Sequence, residues 1–362
     1  TGRISLIRGR NRRVPGRIVP RLVESPPLSV VMSVRNAAPY LDSAIQSIRD
    51  QCWADFEFLI CDDGSEDDSA AIIRRHAQRD SRIRPFFEAT RGLVPSLELL
   101  LSQARAPLIA RMDGDDIAHV DRFALQLRFL AAHPDHVLVG SQLRLIDANG
   151  NILPISRAAA PLCHEEIMAR STGPAIFQSS VIFRRKAVEN AGGYRRAYIY
   201  CEDLDLWLRL GRLGKFANLP EALIDYRIHP LQASQAHRLT QLVNAKIALL
   251  MDRRVRAGLP DVTEGLSQLP ALEALDIWLE EPGLADAIRS ECVHALLHEP
   301  VHLAQSGLPF VEHYIRHSPA TDHHQIWMGI LRLARAREYK AAGQLIRAAI
   351  SRISPCSDAQ PR

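Results

Sequence analysis

Short runs of β-branched and other apolar residues alternate with amphipathic helical stretches from residue 28 to about residue 145, and this rhythm limits the fold more than any other feature. Leu41, Ala44, Ile45 and Ile48, for example, fall on one face of a helix. Strands that alternate with helices in this way form a mainly parallel sheet with helices on both faces. We therefore predict an α/β fold built on a twisted sheet of this kind.

The predicted elements follow one another with short connections. Strands are expected at residues 28–34, 56–61, 84–87, 108–112, 137–146, 180–183, 216–219 and 222–228, the last two on either side of Pro220. Helices are expected at residues 39–51, from Asp67 or Asp68 to about residue 78, and at residues 94–104, 122–133, 186–191 and 202–213.

The chain becomes helical from about residue 236, with long amphipathic stretches rich in Leu and Ala. These stretches span residues 239–257, 284–297 and 325–353. We therefore place a boundary near residue 235. The predicted organisation is a basic flexible arm (1–27), an α/β domain (28–235, divided into halves 28–121 and 122–235) and a helical C-terminal region (236–362).

The net charge of +4 is unevenly distributed along the chain. Residues 1–27 hold seven Arg and one Glu, a charge of +6, which leaves −2 for all other residues. A nearly neutral body does not suit a general nucleic-acid-binding protein, because such proteins attract phosphates with many Lys and Arg residues. The basic arm instead offers peripheral contact with anionic lipid head groups. No apolar run approaches the roughly 20 residues of a spanning helix.

Neither the cysteines nor a row of histidines predicts a metal site. The six cysteines are widely spaced and form no Cys-x-x-Cys pair, which is typical of free, buried thiols in a reducing compartment. His294, His298 and His302 recur at every fourth position, but Pro300 interrupts the helix that would align them. We interpret these histidines as structural.

Two clusters of carboxylates follow predicted strands of the sheet, beyond whose carboxyl ends ligands commonly bind. They follow the second and the fourth strand, with the sequences Asp62-Asp63-Gly64-Ser65 and Asp113-Gly114-Asp115-Asp116. The three carboxylates of the second cluster repel one another unless a cation lies among them. Hard divalent cations such as Mg2+ and Mn2+ take oxygen ligands and share them with phosphates. This cluster therefore indicates a metal and nucleotide site, with a solvated turn or a helix cap as the alternative.

A third acidic pair, Glu202-Asp203, opens a predicted helix whose apolar face is Leu206, Trp207 and Leu210. A carboxylate there could act as the general base that takes the proton of an acceptor hydroxyl. The helix dipole is expected to lower the pKa of Asp203 and to keep it ionised at neutral pH. The alternative is that the pair only stabilises the start of the helix.

Together these motifs, in their order and spacing, resemble the family 2 glycosyltransferases, inverting enzymes of the GT-A fold, over roughly residues 27–232. The matching segments are residues 28–37, 59–65, 110–116, 121–123, 192–194, 202–207 and 226–229. Two positions depart from the family pattern. Arg35 stands where Tyr is usual, and Thr90-Arg91-Gly92 stands where Asn-x-Gly or a similar turn is usual.

The resemblance implies roles for individual residues. Asp203 is the implied catalytic base with Glu202 beside it, and Mn2+ or Mg2+ is the implied cofactor. Asp115 is the implied principal metal ligand, while Asp113 and His229 approach the metal, the ribose or the diphosphate. The residues implied in donor binding are Ser33, Asn36, Asp62, Asp63, Arg91, Arg111 and Asp113.

The resemblance also implies an activity and a setting. A sugar would pass from a nucleotide-diphosphate sugar, a UDP-sugar before other donors, to a hydroxyl of a saccharide or lipid-linked acceptor, in bacterial surface polysaccharide or glycolipid synthesis. We expect a cytoplasmic protein with peripheral contact at the inner face of the membrane. The C-terminal helices are expected to pack on the catalytic domain, form a homo-oligomer contact, or hold an acceptor or membrane surface.

Three other protein classes are weighed against this interpretation. A sugar-1-phosphate nucleotidyltransferase would carry a Gly-rich loop after its first strand, where this chain has Arg35-Asn36-Ala37-Ala38-Pro39. A glycosidase could use paired carboxylates but would need neither a metal nor a nucleotide. A catalytically silent sugar-binding or scaffolding protein with a helical interaction module is the main alternative function.

Overall fold

The computed structural model describes residues 25–154, 160–169, 175–230, 232, 236–318 and 322–353, with side chains described up to Ser351. Residues 1–24 of the basic arm predicted for residues 1–27 therefore lie outside the described residues.

Eight strands form one sheet in the order β3-β2-β1-β4-β7-β6-β8-β5. They are β1 (Leu28–Val34), β2 (Glu57–Asp63), β3 (Ile83–Glu88), β4 (Leu108–Arg111), β5 (Ile117–Ala118), β6 (His136–Ile146), β7 (Ile182–Arg184) and β8 (Lys215–Arg227). Strands β3, β2, β1 and β4 run parallel to one another, as predicted. The sheet is nevertheless mixed, because β7 is antiparallel to β4 and β6, and β5 is antiparallel to β8.

Strand β8 is one continuous strand where two are predicted. Pro220 has no backbone N–H to offer a ladder, so a break was the expected result. The strand instead passes Pro220 at an irregularity, because Leu219 pairs with Ser141, Ala222 pairs with Gln142, and the register shifts between these pairs. This bulge takes Pro220 out of the ladder without ending the strand, and the prediction of two strands is wrong.

Helices cover both faces of the sheet. They are α1 (Ala38–Arg49), α2 (Ser69–Arg79), α3 (Leu93–Gln103), α4 (Arg122–Ala132), α5 (His164–Met168), α6 (Arg185–Asn190) and α7 (Glu202–Leu210). Alternate residues of β1 point to opposite faces. Val30 and Met32 pack with α1, α2 and α4, whereas Val31 packs with α3, α6 and α7. This packing holds the carboxyl end of β1 between two cores, so the turn that follows β1 has a fixed base.

The C-terminal helices share a core of their own. They are α8 (Arg238–Arg256), α9 (Leu275–Leu279), α10 (Leu284–Leu296), α11 (Pro300–His302), α12 (Leu308–His317), α13 (His323–Arg335) and α14 (Tyr339–Ile353). This core also includes Ala197, Tyr198 and Leu208, which lie just before and on α7. The helical C-terminal region is therefore confirmed, whereas the boundary at residue 235 stays a prediction. None of the described helices is long and apolar enough to cross a bilayer.

Two finer expectations are corrected. The stretch predicted to be helical over residues 325–353 is interrupted between α13 and α14, where Arg337 has a φ of 64°. A helix built from L-residues cannot continue through that left-handed conformation. All five described cysteines are free thiols, but Cys52 and Cys163 are exposed rather than buried.

Candidate active site

A cavity of about 630 Å³ lies where the carboxyl ends of β1 and β4 meet the start of α7. Its lining brings together eight of the predicted site residues, which are Ser33, Asn36, Arg111, Asp113, Asp115, Glu202, Asp203 and His229. The predicted donor-binding residues Asp62, Asp63 and Arg91 do not belong to this lining.

The turn after β1 is tied to the acidic turn after β2. Asn36 has a φ of 52°, a left-handed conformation that Asn adopts more readily than most residues. Its amide N–H donates to Ser65 Oγ at 2.9 Å, and its Oδ1 accepts from the Glu66 amide at 2.8 Å. Asn36 thus orders a turn that lines the cavity, and its contact with a donor stays a prediction.

The first acidic cluster folds its own loops. Asp62 Oδ1 accepts from the Ser65 amide at 3.2 Å. Asp63 Oδ1 accepts from the Arg91 amide at 2.8 Å, and Asp63 Oδ2 accepts from the Gly92 amide at 3.0 Å. Both carboxylates are buried. These bonds connect the loops after β2 and β3, and the donor contacts assigned to Asp62, Asp63 and Arg91 stay predictions.

Gly64 offers a test of this loop arrangement. Its φ is +69°, and a Cβ at this position would lie 2.7 Å from the backbone nitrogen of Thr90. We expect Gly64→Ala to lower the free energy of unfolding by about 2 kcal/mol or more, because a left-handed alanine costs about 1–2 kcal/mol and the clash adds to that. The matched control is Gly192→Ala, since Gly192 has a φ of +83° and open space around its Cβ position. Urea unfolding that gave equal losses for both variants would contradict the tight contact with Thr90.

Asp113 forms an ion pair with Arg111 at the wall of the cavity. Arg111 Nη2 lies 2.7 Å from Asp113 Oδ1, and the side chains are 1% and 29% exposed, respectively. Burial raises the pKa of Asp113, while the charge of Arg111 opposes that rise. Arg111 therefore fixes the orientation of Asp113, and its own contact with a donor stays a prediction.

The third carboxylate of the same cluster serves the fold. Asp116 is fully buried, and its Oδ1 accepts from the Arg227 amide of β8 at 2.9 Å. Burial first, and then two neighbouring carboxylates, raise the pKa of Asp116 well above its usual range. Arg122, also fully buried, donates to the carbonyl of Arg111 at 2.8 Å. These contacts anchor the Asp-rich turn, so that Asp113 and Asp115 alone of its carboxylates line the cavity.

Asp115 and His229 lie next to each other in the cavity lining. His229 Nε2 lies 3.0 Å from Asp115 Oδ2. The His229 ring also contacts Tyr40, with 4.7 Å between the ring centroids. The Arg227 guanidinium lies 4.7 Å from the centre of the Tyr40 ring and donates from Nε to the Asp115 carbonyl at 2.8 Å. Tyr40 and Arg227 thus hold both members of the Asp115–His229 pair in place.

This pair is suited to a cation that also binds phosphate. Among the described residues, no group of three or more His, Cys, Asp or Glu is placed to hold a metal by itself. The row His294, His298 and His302 therefore does not form such a group. Mg2+ commonly takes only one or two protein carboxylates and completes its shell with substrate phosphates and water. One carboxylate and one imidazole at 3.0 Å fit such a shared ion.

Glu202 and Asp203 line the cavity from the first turn of α7. Burial first, and then the charge of Asp203, raise the pKa of Glu202 to about 8. Burial and the charge of Asp113 raise the pKa of Asp203 to about 6, although the Leu204 amide that donates to it lowers the value. The expectation that the helix dipole lowers the pKa of Asp203 is therefore wrong, because burial outweighs the dipole. With one pKa of about 8 and one of about 6, the pair as a whole carries about one negative charge at neutral pH.

Several lining residues escaped the sequence analysis. Tyr40 is an aromatic residue in the first turn of the helix after β1, a position that could have drawn attention. Tyr200 lies just before the Glu202-Asp203 pair and has a φ of 62°, which no local pattern reveals. Residues of the C-terminal region also reach the cavity, and they are Arg238, Gln241, Glu299 and His302. No motif marks Arg238, Gln241 or Glu299, whereas His302 belongs to the row of histidines that we interpreted as structural.

The chain is similar in sequence to known glycosyltransferases. Residues 29–192 match the family model described as glycosyl transferase family 2. The chain is 34% identical over 217 residues to the putative glycosyltransferase EpsE of Bacillus subtilis. The aligned segment covers 56% of this chain and 73% of EpsE. The chain is also 31% identical over 205 residues to the amylovoran biosynthesis glycosyltransferase AmsE of Erwinia amylovora. That aligned segment covers 55% of this chain and 75% of AmsE.

A solved structure shares the fold at low sequence identity. It is the mannosyltransferase PcManGT of Pyrobaculum calidifontis, solved in complex with GDP-Man and Mn2+. The two chains align with a TM-score of 0.52 and 17% identity, over 92% of this chain and 89% of PcManGT. This likeness concerns the fold, and the predicted GT-A type architecture is confirmed.

Proposed function

The chain belongs to glycosyltransferase family 2, and we propose that this glycosyltransferase moves a sugar from a nucleotide-diphosphate sugar to an acceptor hydroxyl with inversion at the anomeric carbon. One observation carries the proposal. The Asp115–His229 pair and the Glu202–Asp203 pair, which lie far apart in the chain, line a single cavity. The first pair suits a diphosphate with its cation, and the second suits a hydroxyl that must lose its proton.

We assign the donor side of the cavity to the turn after β1 and the turn after β4. Asp115 and His229 would hold Mn2+ or Mg2+ together with the diphosphate of a UDP-sugar, and Asp113 would lie near the ribose. A metal bound there supplies Lewis-acid neutralisation of the charge on the departing diphosphate. The ion pair between Arg111 and Asp113 supports this assignment, because a carboxylate already neutralised by an arginine is a weaker ligand for a metal ion.

The proposed chemistry is one in-line displacement. The acceptor oxygen forms a bond to the anomeric carbon while the bond from that carbon to the diphosphate oxygen breaks, and the bonding electron pair leaves with the nucleoside diphosphate. The acceptor proton passes to the carboxylate of Asp203. We assign the base function to Asp203 rather than Glu202 because its pKa is the lower of the two.

The pH dependence of the reaction follows from this assignment. We expect kcat/KM to rise about tenfold per pH unit below pH 6 and to level off above it, because only ionised Asp203 can accept the proton. Initial rates between pH 4.5 and 8.5 at fixed Mn2+ measure the profile. A profile that falls as pH rises through 6 would assign the titrating group to an acid instead of a base.

Donor turnover followed by proton NMR tests the function itself. Nucleotide sugars are incubated one at a time with the protein and Mn2+, and we expect one of them to be consumed slowly even with water as the acceptor. The first-formed sugar should carry the anomeric configuration opposite to that of the donor. Binding without consumption of any donor would instead favour the catalytically silent sugar-binding alternative.

We further propose a role in surface polysaccharide or glycolipid synthesis on the cytoplasmic side of the membrane. The name of AmsE, which ties that relative to amylovoran biosynthesis, supports this setting. The seven arginines of residues 1–27 support peripheral contact with anionic lipids.

A further inference from the structure

The C-terminal helices form one wall of the cavity that holds Asp203. Arg238 and Gln241 lie in the first turn of α8, Glu299 directly precedes α11, and His302 ends it. Each of these four side chains lines the cavity. The region therefore contributes directly to the site, although it carries no recognisable motif.

An ion pair organises this wall. Arg238 donates to Glu299 through both Nε and Nη2, at 2.8 and 2.6 Å from the two carboxylate oxygens. Arg238 Nη1 also donates to Gln241 Oε1 at 3.0 Å, and His302 Nδ1 lies 3.2 Å from Glu299 Oε2. Two-pronged Arg–carboxylate bonds fix geometry as well as charge. The wall thus presents polar groups in fixed positions.

The charge of this wall distinguishes between two kinds of acceptor. Burial disfavours the charged form of Glu299, but Arg238, which donates to both carboxylate oxygens, holds its pKa below the usual range, so the carboxylate is ionised. Its negative charge cancels the positive charge of Arg238. A phosphate would need uncompensated cationic groups, whereas the hydroxyls of a neutral sugar need fixed acceptors and donors without excess charge.

Tyr200 adds an aromatic surface next to this wall. It lines the cavity and stacks on His237, the residue before α8, with ring centroids 3.9 Å apart and planes 6° from parallel. Asn244 of α8 donates to the Ile199 carbonyl at 2.9 Å. These contacts hold Tyr200 at a φ of 62°, a conformation that a non-glycine residue keeps only when its surroundings enforce it. Helix α8 therefore positions a ring three residues before Asp203.

We propose that Tyr200, Arg238, Gln241, Glu299 and His302 form the acceptor subsite and that it binds a neutral saccharide unit. Sugar hydroxyls would bond to Glu299, Gln241 and His302, and an apolar sugar face would lie against Tyr200, the mix of aromatic surface and a few polar groups that small-molecule sites use. The inference rests on the proposed function, because the acceptor hydroxyl must meet Asp203 in the same cavity.

Binding of simple glycosides tests the subsite. Methyl glycosides of glucose, galactose, mannose and N-acetylglucosamine are titrated into the full chain with UDP and Mn2+ present, and affinities are measured by NMR. We expect at least one glycoside to bind, and Glu299→Gln and Gln241→Ala to weaken it, the first by about tenfold or more. Gln241→Ala keeps the Arg238–Glu299 pair and so reports on binding even if Glu299→Gln fails to fold.

The matched control is Glu291→Gln. Glu291 Oε2 lies 2.6 Å from Lys246 Nζ and joins α10 to α8 outside the cavity lining. This variant loses an ion pair of α8 but should bind the glycoside with wild-type affinity. Equal weakening by Glu291→Gln and Glu299→Gln would overturn the inference.

Three further outcomes would also overturn it. UDP binding without binding of any glycoside would mean that the wall does not recognise neutral sugars. Tighter binding of glucose 1-phosphate than of methyl glucoside would mean that the subsite prefers a phosphate. Failure of both UDP and GDP to bind the wild-type chain would contradict the proposed function, and the inference with it.

Discussion

We expect Asp115→Asn to lower kcat by about 10²–10³-fold or more at saturating Mn2+, because Lewis-acid stabilisation of a leaving group is worth several kcal/mol. Asp115 is the carboxylate that faces His229 at 3.0 Å, and 23% of its side chain remains exposed. Asparagine keeps the size of the side chain but replaces an anionic oxygen with a neutral one. In the proposed site, a hard divalent cation would then lose the charged ligand that Asp115 supplies.

Steady-state release of nucleoside diphosphate, measured over a range of Mn2+ concentrations, checks this expectation. The control is Asp55→Asn, which removes an exposed carboxylate outside the cavity lining and should leave the rate unchanged. An Asp115→Asn protein with the wild-type rate and the wild-type Mn2+ dependence would show that the metal is held elsewhere or is not used.

The second large effect concerns the base. We expect Asp203→Asn to lower kcat by about 10²–10⁴-fold, the usual contribution of general-base catalysis, with donor affinity nearly unchanged. The asparagine occupies the same place at the start of α7 but cannot accept a proton. The rise of kcat/KM through pH 6 should disappear in the same variant.

Glu202→Gln is the matched comparison for Asp203→Asn. Since the pKa of Glu202 is the higher of the two, its replacement by a neutral amide should change the charge of the site less, and we expect a smaller loss. Turnover and donor affinity measured for both variants separate the two roles. If Glu202→Gln cost more than Asp203→Asn, Glu202 would be the base.

The sequence alone predicts that the turns after β1 and β4 lie close together, and the reason is topological. Parallel strands end at the same edge of a sheet, so the turns after β1 and β4 had to lie close together. Ser33, near the end of β1, and Asp113, just after β4, therefore fall in one cavity, as their positions at the ends of predicted strands indicate. The antiparallel placement of β7 could not be predicted from the strand rhythm, because pairing depends on which strand edge remains open.

Tertiary burial explains what the sequence does not predict. In the sequence, Asp116 resembles a third metal ligand of the Asp-rich turn. In the fold its carboxylate accepts a hydrogen bond from the backbone amide of Arg227, 111 residues later. The pKa of Asp203 rises because α7 packs into the core, a fact that the helix position alone does not contain. Glu299 reaches the cavity only through the packing of α8 and α11, which have no sequence signature.

Calorimetric titration of UDP into the wild-type chain, with Mn2+ and again with EDTA, tests the central claim most directly. A cavity that binds a nucleoside diphosphate through a metal shared by Asp115 and His229 predicts one saturable site with Mn2+ and at least about tenfold weaker binding in EDTA, since the shared cation supplies much of the diphosphate contact. GDP is titrated in parallel because the base is a separate question. Equal affinity with and without Mn2+, or no binding of either nucleotide, would contradict the account.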